Sequence, residues 1–76
     1  MAKIKEIYNV LINEKWVRVK IIRNESKKET NKDGTLNSLE WRKIINEIMY
    51  TELNVKLWKY LGEDNEKLKT NITINV

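Results

Sequence analysis

The absence of both Cys and His is the feature that most limits how this 76-residue chain can fold. A chain of this length makes one domain, and such a domain buries only about 60–65% of the surface that its unfolded form exposes. Without Cys there is no disulfide, and without Cys or His the usual ligands of a structural zinc site are missing. A fold of this kind relies on a well-organised core or on oligomerisation. We expect a single domain over residues 1–76, and these energetics leave a homodimer open.

The same absence argues against catalysis. His is the usual general base near neutral pH, and Cys is the best side-chain nucleophile. The remaining carboxylates, Lys, Ser, Thr and Tyr form no recognisable catalytic arrangement. Glu40, Lys43 and Glu47 share a helix face at spacings of three and four residues, but this spacing is typical of a solvated ion-pair ladder. We therefore expect no enzyme, no metal site and no cofactor.

Residues 4–23 alternate between apolar and polar side chains, which predicts a β-hairpin. Asn13-Glu14 is the predicted turn, because Asn tolerates a positive φ. This turn sets a register in which Leu11 faces Trp16. The face predicted to point into the core consists of Ile4, Tyr8, Val10, Ile12, Val17, Val19 and Ile21, with Glu6 and Lys15 as charged exceptions. The opposite face consists of Lys3, Lys5, Ile7, Asn9, Leu11, Trp16, Arg18, Lys20 and Ile22.

The segment 24–37 that follows the hairpin is almost entirely polar. It cannot bury enough apolar surface to hold a shape alone. Asp33-Gly34 within it is a turn signal. We expect a mobile polar loop within the domain.

A helix is predicted to begin after Asn37. Asn37 can act as the N-cap, and Glu40 three residues later completes a capping box. Charged residues would enter the apolar stripe from Glu52 onwards, so the helix should end near there. Asn54 suits the left-handed position that follows a helix end. The apolar stripe consists of Trp41, Ile44, Ile45, Ile48 and Met49.

The last third of the chain is predicted to add two strands. Residues 55–60 alternate as a strand does, although residues 53–61 could instead form a second short helix. Residues 62–66 are a predicted turn, and alternation over 68–76 predicts the last strand. The preferred fold is an α+β domain of order ββαββ, with one helix on one face of a four-stranded, mainly antiparallel sheet. The alternative is ββααβ with 53–61 helical.

In this fold the sheet face opposite the helix combines aromatic and cationic side chains. Such residues dominate protein–protein hot spots, and they also suit single-stranded nucleic acid, whose bases stack on aromatic rings. The alternative is that the 24–37 loop or a dimer mate covers this face. The candidate binding residues are Lys3, Lys5, Trp16, Arg18, Lys20, Lys56, Trp58 and Tyr60.

The charge distribution favours a protein over a nucleic acid as the partner. The net charge of +4 is a balance of +5 in residues 1–32 and −1 in residues 33–76, and the acidic part would not help a DNA binder. The sequence therefore predicts a small non-enzymatic binding protein, a phage- or plasmid-type regulator or inhibitor that occupies a host macromolecule. The alternative is a single-stranded nucleic-acid-binding module.

The start of the chain predicts where the protein resides. It carries charge where a secretion signal needs an apolar stretch. The longest run of strongly apolar residues, Val10-Leu11-Ile12, is far too short to span a membrane. We expect the cytoplasm of a bacterium or an infected host, with no membrane partner.

Overall fold

A computed structural model describes residues 3–64 and 67–76 of the chain. The predicted ββαββ order is confirmed, with the helix on one face of a four-stranded sheet. The alternative with 53–61 helical is wrong, because residues 58–63 form a strand that pairs with the first strand. The elements are β1 (Ile4–Ile12), β2 (Lys15–Arg23), a 3-10 turn (Lys27–Glu29), α1 (Ser38–Ile48) with a final π-helical turn (Met49–Leu53), β3 (Trp58–Glu63) and β4 (Ile72–Asn75).

The strand order β3-β1-β2-β4 makes two connections cross the sheet. β1 is antiparallel to β2 and β3, whereas β4 is parallel to β2. The connection from β2 to β3 and the one from β3 to β4 therefore run in opposite directions across the sheet. The preference for right-handed crossovers places two such connections on opposite faces. We call the face covered by α1 the inner face and the other one the outer face.

The β1–β2 hairpin has the predicted register. Asn13 and Glu14 both have a positive φ, 49° and 66°, as a type I′ turn requires. Leu11 pairs with Trp16, and the ladder continues to Ile4 and Arg23. Because the turn fixes the register, every hairpin side chain lies on its predicted face.

Both predicted ends of the helix are supported by hydrogen bonds. The Asn37 Oδ1 accepts a bond of 3.4 Å from the Glu40 backbone N–H. Asn54 is left-handed with a φ of 53°, and its N–H donates to the carbonyls of Met49 and Tyr50. The π-helical turn before Asn54 extends the helix to Leu53, one residue past the predicted end.

The bounds of the last two strands differ from the prediction. β3 begins at Trp58 rather than at residue 55, and it includes Gly62 and Glu63 of the predicted 62–66 turn. Asn65 and Glu66 of that turn lie outside the described residues. β4 is limited to four residues because only 72–75 pair with β2.

The core lies between the inner face and α1. Of the seven predicted core-face residues of the hairpin, four are buried in it and Ile12 and Val17 pack at its border, whereas Ile4 lies outside it and lines a pocket. Ile45 and Met49 of α1 are fully buried, as the predicted helix stripe requires. The buried members of this core are Tyr8, Val10, Val19, Ile21, Ile45, Met49, Val55 and Ile74.

Candidate functional site

Trp16 stays on the outer face, as predicted. It is 48% exposed, and the Lys59 Nζ lies 5.4 Å from the centre of its ring. A cation at this distance over a Trp face is attracted by the ring quadrupole. Trp16 and Lys59 therefore form a small aromatic–cationic patch at the hairpin end of the outer face.

Most of the predicted cations of the outer face are held by other parts of the chain. The Arg18 Nη1 donates to the Lys69 carbonyl at 3.3 Å, and the Lys20 Nζ lies 3.3 Å from an Asp64 carboxylate oxygen. The Lys3 Nζ donates to the Asn75 Oδ1 at 2.9 Å, whereas Lys5 is exposed opposite Ile22. The Asp64 carboxylate offsets the charge of Lys20, and Arg18 and Lys3 each have a donor bonded within the chain rather than directed at a phosphate.

Asp64 and Asn71, in the connection between β3 and β4, also bond to the backbone of the hairpin strands. The Asn71 N–H donates to the Arg18 carbonyl at 2.9 Å, and the Asp64 N–H donates to the Lys5 carbonyl at 3.0 Å. Ile7, at the centre of this face, is fully buried. The side chains of Arg18 and Lys20 on this face thus bond to Lys69 and Asp64 of the β3–β4 connection, and the cover that the 24–37 loop or a dimer mate would provide stays a prediction.

The prediction that Trp58 and Tyr60 share the outer face with Trp16 is wrong. Trp58 pairs with Val10 and Tyr60 pairs with Tyr8, and cross-strand partners share a face. The Trp58 Nε1 donates to the Asn46 Oδ1 of α1 at 2.7 Å. Alternation alone could not assign the face, because it does not say which residues of β1 will lie opposite a strand. Their role in binding stays a prediction.

Four aromatic rings meet on the inner face instead. The ring centres of Trp58 and Tyr60 each lie 5.5 Å from that of Trp41 on α1, at interplanar angles of 75° and 82°. Both rings also lie 5.5 Å from Tyr8. Edge-to-face contacts at this distance stabilise an aromatic cluster beyond its buried area. This cluster attaches β3 to the helix.

Exposed apolar side chains lie in β3 and just before it. β3 is the first strand in the sheet order, so one of its sides pairs with no other described strand. We define the β3 edge surface as Leu57, Lys59, Tyr60 and Leu61. Leu57, Tyr60 and Leu61 are 58%, 45% and 41% exposed. Lys56, another predicted site residue, is exposed just before this strand.

One side of α1 borders the β3 edge surface. Arg42 lies over the Trp58 ring, with its guanidinium carbon 5.8 Å from the ring centre, and Asn46 accepts the Trp58 hydrogen bond. Residues three or four positions away lie on the same helix side. Leu39 and Tyr50 occupy those positions, and both are exposed.

A buried ion cluster, which the sequence analysis missed, closes the other end of the inner face. The Arg23 guanidinium donates two bonds to Glu29, at 2.7 and 2.8 Å, and its Nε donates to the Glu6 Oε1 at 3.0 Å. The Tyr8 hydroxyl donates to the same Glu6 oxygen at 2.9 Å. All three charged residues are almost fully buried. Glu6 was visible as a charge on the core face, but its partner Glu29 lies in a segment with no apolar pattern.

The ion cluster changes the acidity of its members. Burial favours the neutral form of Glu29, but the hydrogen bonds from Arg23 and from the Ser26 N–H outweigh it and lower its pKa. Burial likewise opposes the charge on Arg23, and its bonds to Glu29 and the charge of Glu6 raise its pKa. Burial raises the pKa of Tyr8, and the nearby Glu6 adds to the shift. Glu29 and Arg23 therefore keep their charges at neutral pH, and Tyr8 keeps its proton.

The ion cluster ties the polar 24–37 segment to the sheet. The Ser26 hydroxyl and the Glu29 side chain cap the 3-10 turn reciprocally, and the Asn37 N–H donates to the Glu29 carbonyl at 2.7 Å. The mobility of the segment stays a prediction. Its middle is attached to Arg23 and to the start of α1, so motion is expected mainly around Asp33-Gly34.

A pocket of about 510 Å³ lies beside the ion cluster. It contains two rings of the aromatic cluster and most of the acidic residues at this end of the sheet. The lining residues are Ile4, Glu6, Arg23, Glu25, Glu29, Leu36, Trp41, Tyr60 and Glu63. The pocket therefore joins a hydrophobic wall to an acidic one.

Comparison of the chain with protein-family models, with curated proteins and with solved structures gave no match. Within the described ranges 3–64 and 67–76, acidic residues form no group of three that could hold a metal ion. No helix in the same ranges is long and apolar enough to cross a membrane. The site is therefore interpreted from its own chemistry.

Proposed function

We propose that this chain is a small non-enzymatic binding protein that acts by occupying a protein partner, and that the partner binds at the β3 edge surface. The observation that carries this proposal is the exposure of Leu57, Tyr60 and Leu61 along an edge strand. An edge strand presents backbone N–H and C=O groups that can pair with another chain. Apolar side chains beside such an edge add the burial that makes pairing specific.

The charges around this surface favour a partner that is acidic as well as apolar. Arg42, Lys56 and Lys59 are exposed on or next to it. A second copy of this chain would bring the same three cations to the interface from both sides, because a two-fold interface uses one surface twice. An extended segment with apolar and acidic residues would instead pair its charges with these cations. We therefore assign the surface to a different protein rather than to a homodimer.

The aromatic composition supports a compact interface. Tyr60 is half exposed at the edge and anchored to Trp41 by ring contact. Trp58 is fixed by its bond to Asn46 and by Arg42 above its ring. Trp, Tyr and Arg held rigidly near the centre of a surface are typical hot-spot residues. A regulator or inhibitor of phage or plasmid type, acting by this kind of occupancy, remains our proposal for the biological setting.

Single-stranded nucleic acid binding on the outer face is the second candidate. The pair of Trp16 and Lys59 favours it, because an exposed ring and a cation are what a base and its phosphate require. The bonds of Arg18, Lys20 and Lys3 to other residues count against it. Trp58 and Tyr60, which would have extended the stacking surface, lie on the inner face.

A capture experiment with matched variants tests the proposal. The wild-type chain, a Leu57→Glu, Leu61→Glu double variant and a Val76→Glu variant are each immobilised and exposed to nuclease-treated lysate of the source cell. Val76 is a similarly exposed apolar residue next to β4, on the opposite edge of the sheet. The added carboxylates should repel an acidic partner. We expect one protein to be retained by wild type and by Val76→Glu, and lost from the double variant.

The captured protein is then purified, and its affinity is measured for all three chains. The double variant should bind at least about tenfold more weakly, because a change of this size is typical when one important interface residue is lost. Equal binding by all three chains would place the interface elsewhere. Nuclease-sensitive capture, with binding that weakens steeply between about 50 and 200 mM salt, would favour the nucleic-acid candidate.

A further inference from the structure

The pocket beside the ion cluster has a charge opposite to that of the whole chain. Four carboxylates line it, those of Glu6, Glu25, Glu29 and Glu63, with Arg23 as the single cation. Its formal charge is therefore −3, whereas the chain carries +4. Low-dielectric walls strengthen the potential inside such a concave site. A pocket with this lining attracts cations.

One carboxylate oxygen in the pocket has capacity for a further donor. Glu6 is only 7% exposed, and its Oε1 receives the bonds from Tyr8 and Arg23. Both bonds fall on the same oxygen, so the Oε2 takes part in neither of them, and Glu6 is one of the residues that line the pocket.

Two aromatic rings form the opposite wall. Trp41 and Tyr60 meet nearly at right angles, so they present two differently oriented ring surfaces. Burial, and then the charges of Glu6 and Glu63, raise the pKa of Tyr60. Glu6 and Glu63 line the same pocket as Trp41 and Tyr60, so the acids and the rings face one cavity. An aromatic wall combined with carboxylates is the arrangement that proteins use to hold organic cations.

We propose that this pocket binds a guanidinium group. A guanidinium is flat, so it can stack on Trp41 or Tyr60 while its in-plane N–H groups donate to Glu6, Glu25 or Glu63. An ammonium is a strongly hydrated point charge that cannot make both contacts as well. The site shares Tyr60 with the β3 edge surface, but the other residues of that surface do not line it, and it requires no protein partner for its test.

The guanidinium could belong to an Arg side chain of another protein or to a small molecule. Three probes separate these sources: N-acetyl-arginine amide, methylguanidinium and N-acetyl-citrulline amide. Citrulline has the shape of Arg but no charge. Each is titrated into the full-length ¹⁵N-labelled chain, and the indole signal of Trp41 and the backbone signals of Glu25 and Glu63 are followed. Stronger binding of the arginine amide than of methylguanidinium would indicate a protein side chain, and the reverse a small molecule.

Two variants and a control complete the test. Glu63→Gln removes one charge from the pocket, and Tyr60→Leu removes one ring. Glu47→Gln removes an exposed charge on α1 that does not line the pocket. We expect saturable shifts with a guanidinium probe at the three pocket signals. Each pocket variant should weaken binding about fivefold, as loss of one cation contact predicts, and Glu47→Gln should not.

Some outcomes would overturn the inference. These are equal shifts with citrulline amide, no saturable shift with either guanidinium probe, or equal weakening by Glu47→Gln. A Tyr60→Leu chain that loses its dispersed spectrum would be unfolded, and Glu63→Gln alone would then decide. Failure here leaves the proposed β3 interface untouched, because that interface is tested by Leu57 and Leu61.

Discussion

The two faces of the sheet are built from the same alternating strands, yet they are completed in different ways. On the inner face, α1 covers apolar residues and an aromatic cluster, and Glu6, Arg23 and Glu29 bond to one another while almost fully buried. On the outer face, Asp64 pairs with Lys20, the Lys69 carbonyl accepts from Arg18, Ile7 is fully buried, and Trp16 remains half exposed. Alternation thus decides which residues share a face, while the crossover connections decide how each face is covered.

This difference moves the candidate binding surface. The aromatic residues of β3 strengthen the attachment of that strand to α1, so the outer face keeps one exposed Trp. What β3 offers instead is its edge, where Leu57, Tyr60 and Leu61 lie beside a strand side that pairs with no other described strand. If this comparison is correct, equivalent substitutions on the two faces should lower the free energy of unfolding by unequal amounts.

The largest contrast is expected between the two kinds of ion pair. Arg23→Met leaves Glu6 and Glu29 buried without their cation and should lower the free energy of unfolding by ~3–5 kcal/mol. Lys20→Met breaks the exposed pair with Asp64 and should change it by less than about 1 kcal/mol. Urea denaturation of both variants measures this contrast. Equal losses would mean that the inner-face cluster is as hydrated as the outer-face pair.

The two tryptophans of the comparison should also differ. Trp41→Ala leaves a cavity between α1 and β3 and should cost about 3 kcal/mol. Trp16→Ala removes a half-exposed ring and should cost about 1 kcal/mol or less. Thermal unfolding of the two variants provides the measurement. A Trp41→Ala variant that melts within a degree or two of wild type would contradict the assignment of the helix stripe.

Acid should lower the free energy of unfolding through the ion cluster of the inner face. In the folded chain the pKa of Glu29 lies below its usual value of 4.5, so the unfolded chain binds more protons in acid. The stability that Glu29 contributes is present above that value and is lost as the pH falls through the folded-state pKa. We expect the free energy of unfolding to decrease between about pH 5 and pH 3.

Substitutions of single carboxylates show which residue causes the loss of stability in acid. Glu29→Gln should be less stable at neutral pH and should show a flatter pH dependence than wild type. Glu47→Gln, on the exposed side of α1, should keep the wild-type slope. Identical slopes for all three chains would show that Glu29 is not held ionised by Arg23.

The smallest contrast concerns two Asn side chains that accept backbone hydrogen bonds. Asn37→Ala removes the N-cap of α1 and should cost about 1 kcal/mol. Asn71→Ala removes a bond of 3.3 Å to the Arg18 N–H on the exposed outer face, and about 0.5 kcal/mol is expected. Chemical denaturation of the pair resolves this difference. A larger loss for Asn71 would show that the outer face is held more firmly than its exposure indicates.

The parts of the fold that depend on local chemistry could be predicted from the sequence. The turn at Asn13-Glu14 determines the hairpin register, and Asn37 and Asn54 determine the helix ends. Each of these signals acts within a few residues, where turn and cap preferences are strong. The α+β order followed from placing these elements in sequence.

The parts that depend on distant partners could not be predicted. The face of Trp58 and Tyr60 depends on which residues of β1 they oppose, and a bulge shifts that register between Ile7 and Tyr8. The parallel pairing of β4 with β2, and the contact of Glu29 with Arg23, likewise need the tertiary structure. The pocket arises from these same long-range contacts, so no single motif indicated it.

The position of Trp58 tests the central claim most directly, because it separates the inner-face cluster from the predicted outer-face patch. The measurement is the set of NOEs from the Trp58 indole N–H in the full-length ¹⁵N-labelled chain. We predict NOEs to the Asn46 side chain, whose Oδ1 is 2.7 Å from the Trp58 Nε1, and to the Trp41 ring. NOEs from Trp58 to the Trp16 ring or to Arg18, with none to Asn46 or Trp41, would contradict the account and return the binding surface to the outer face.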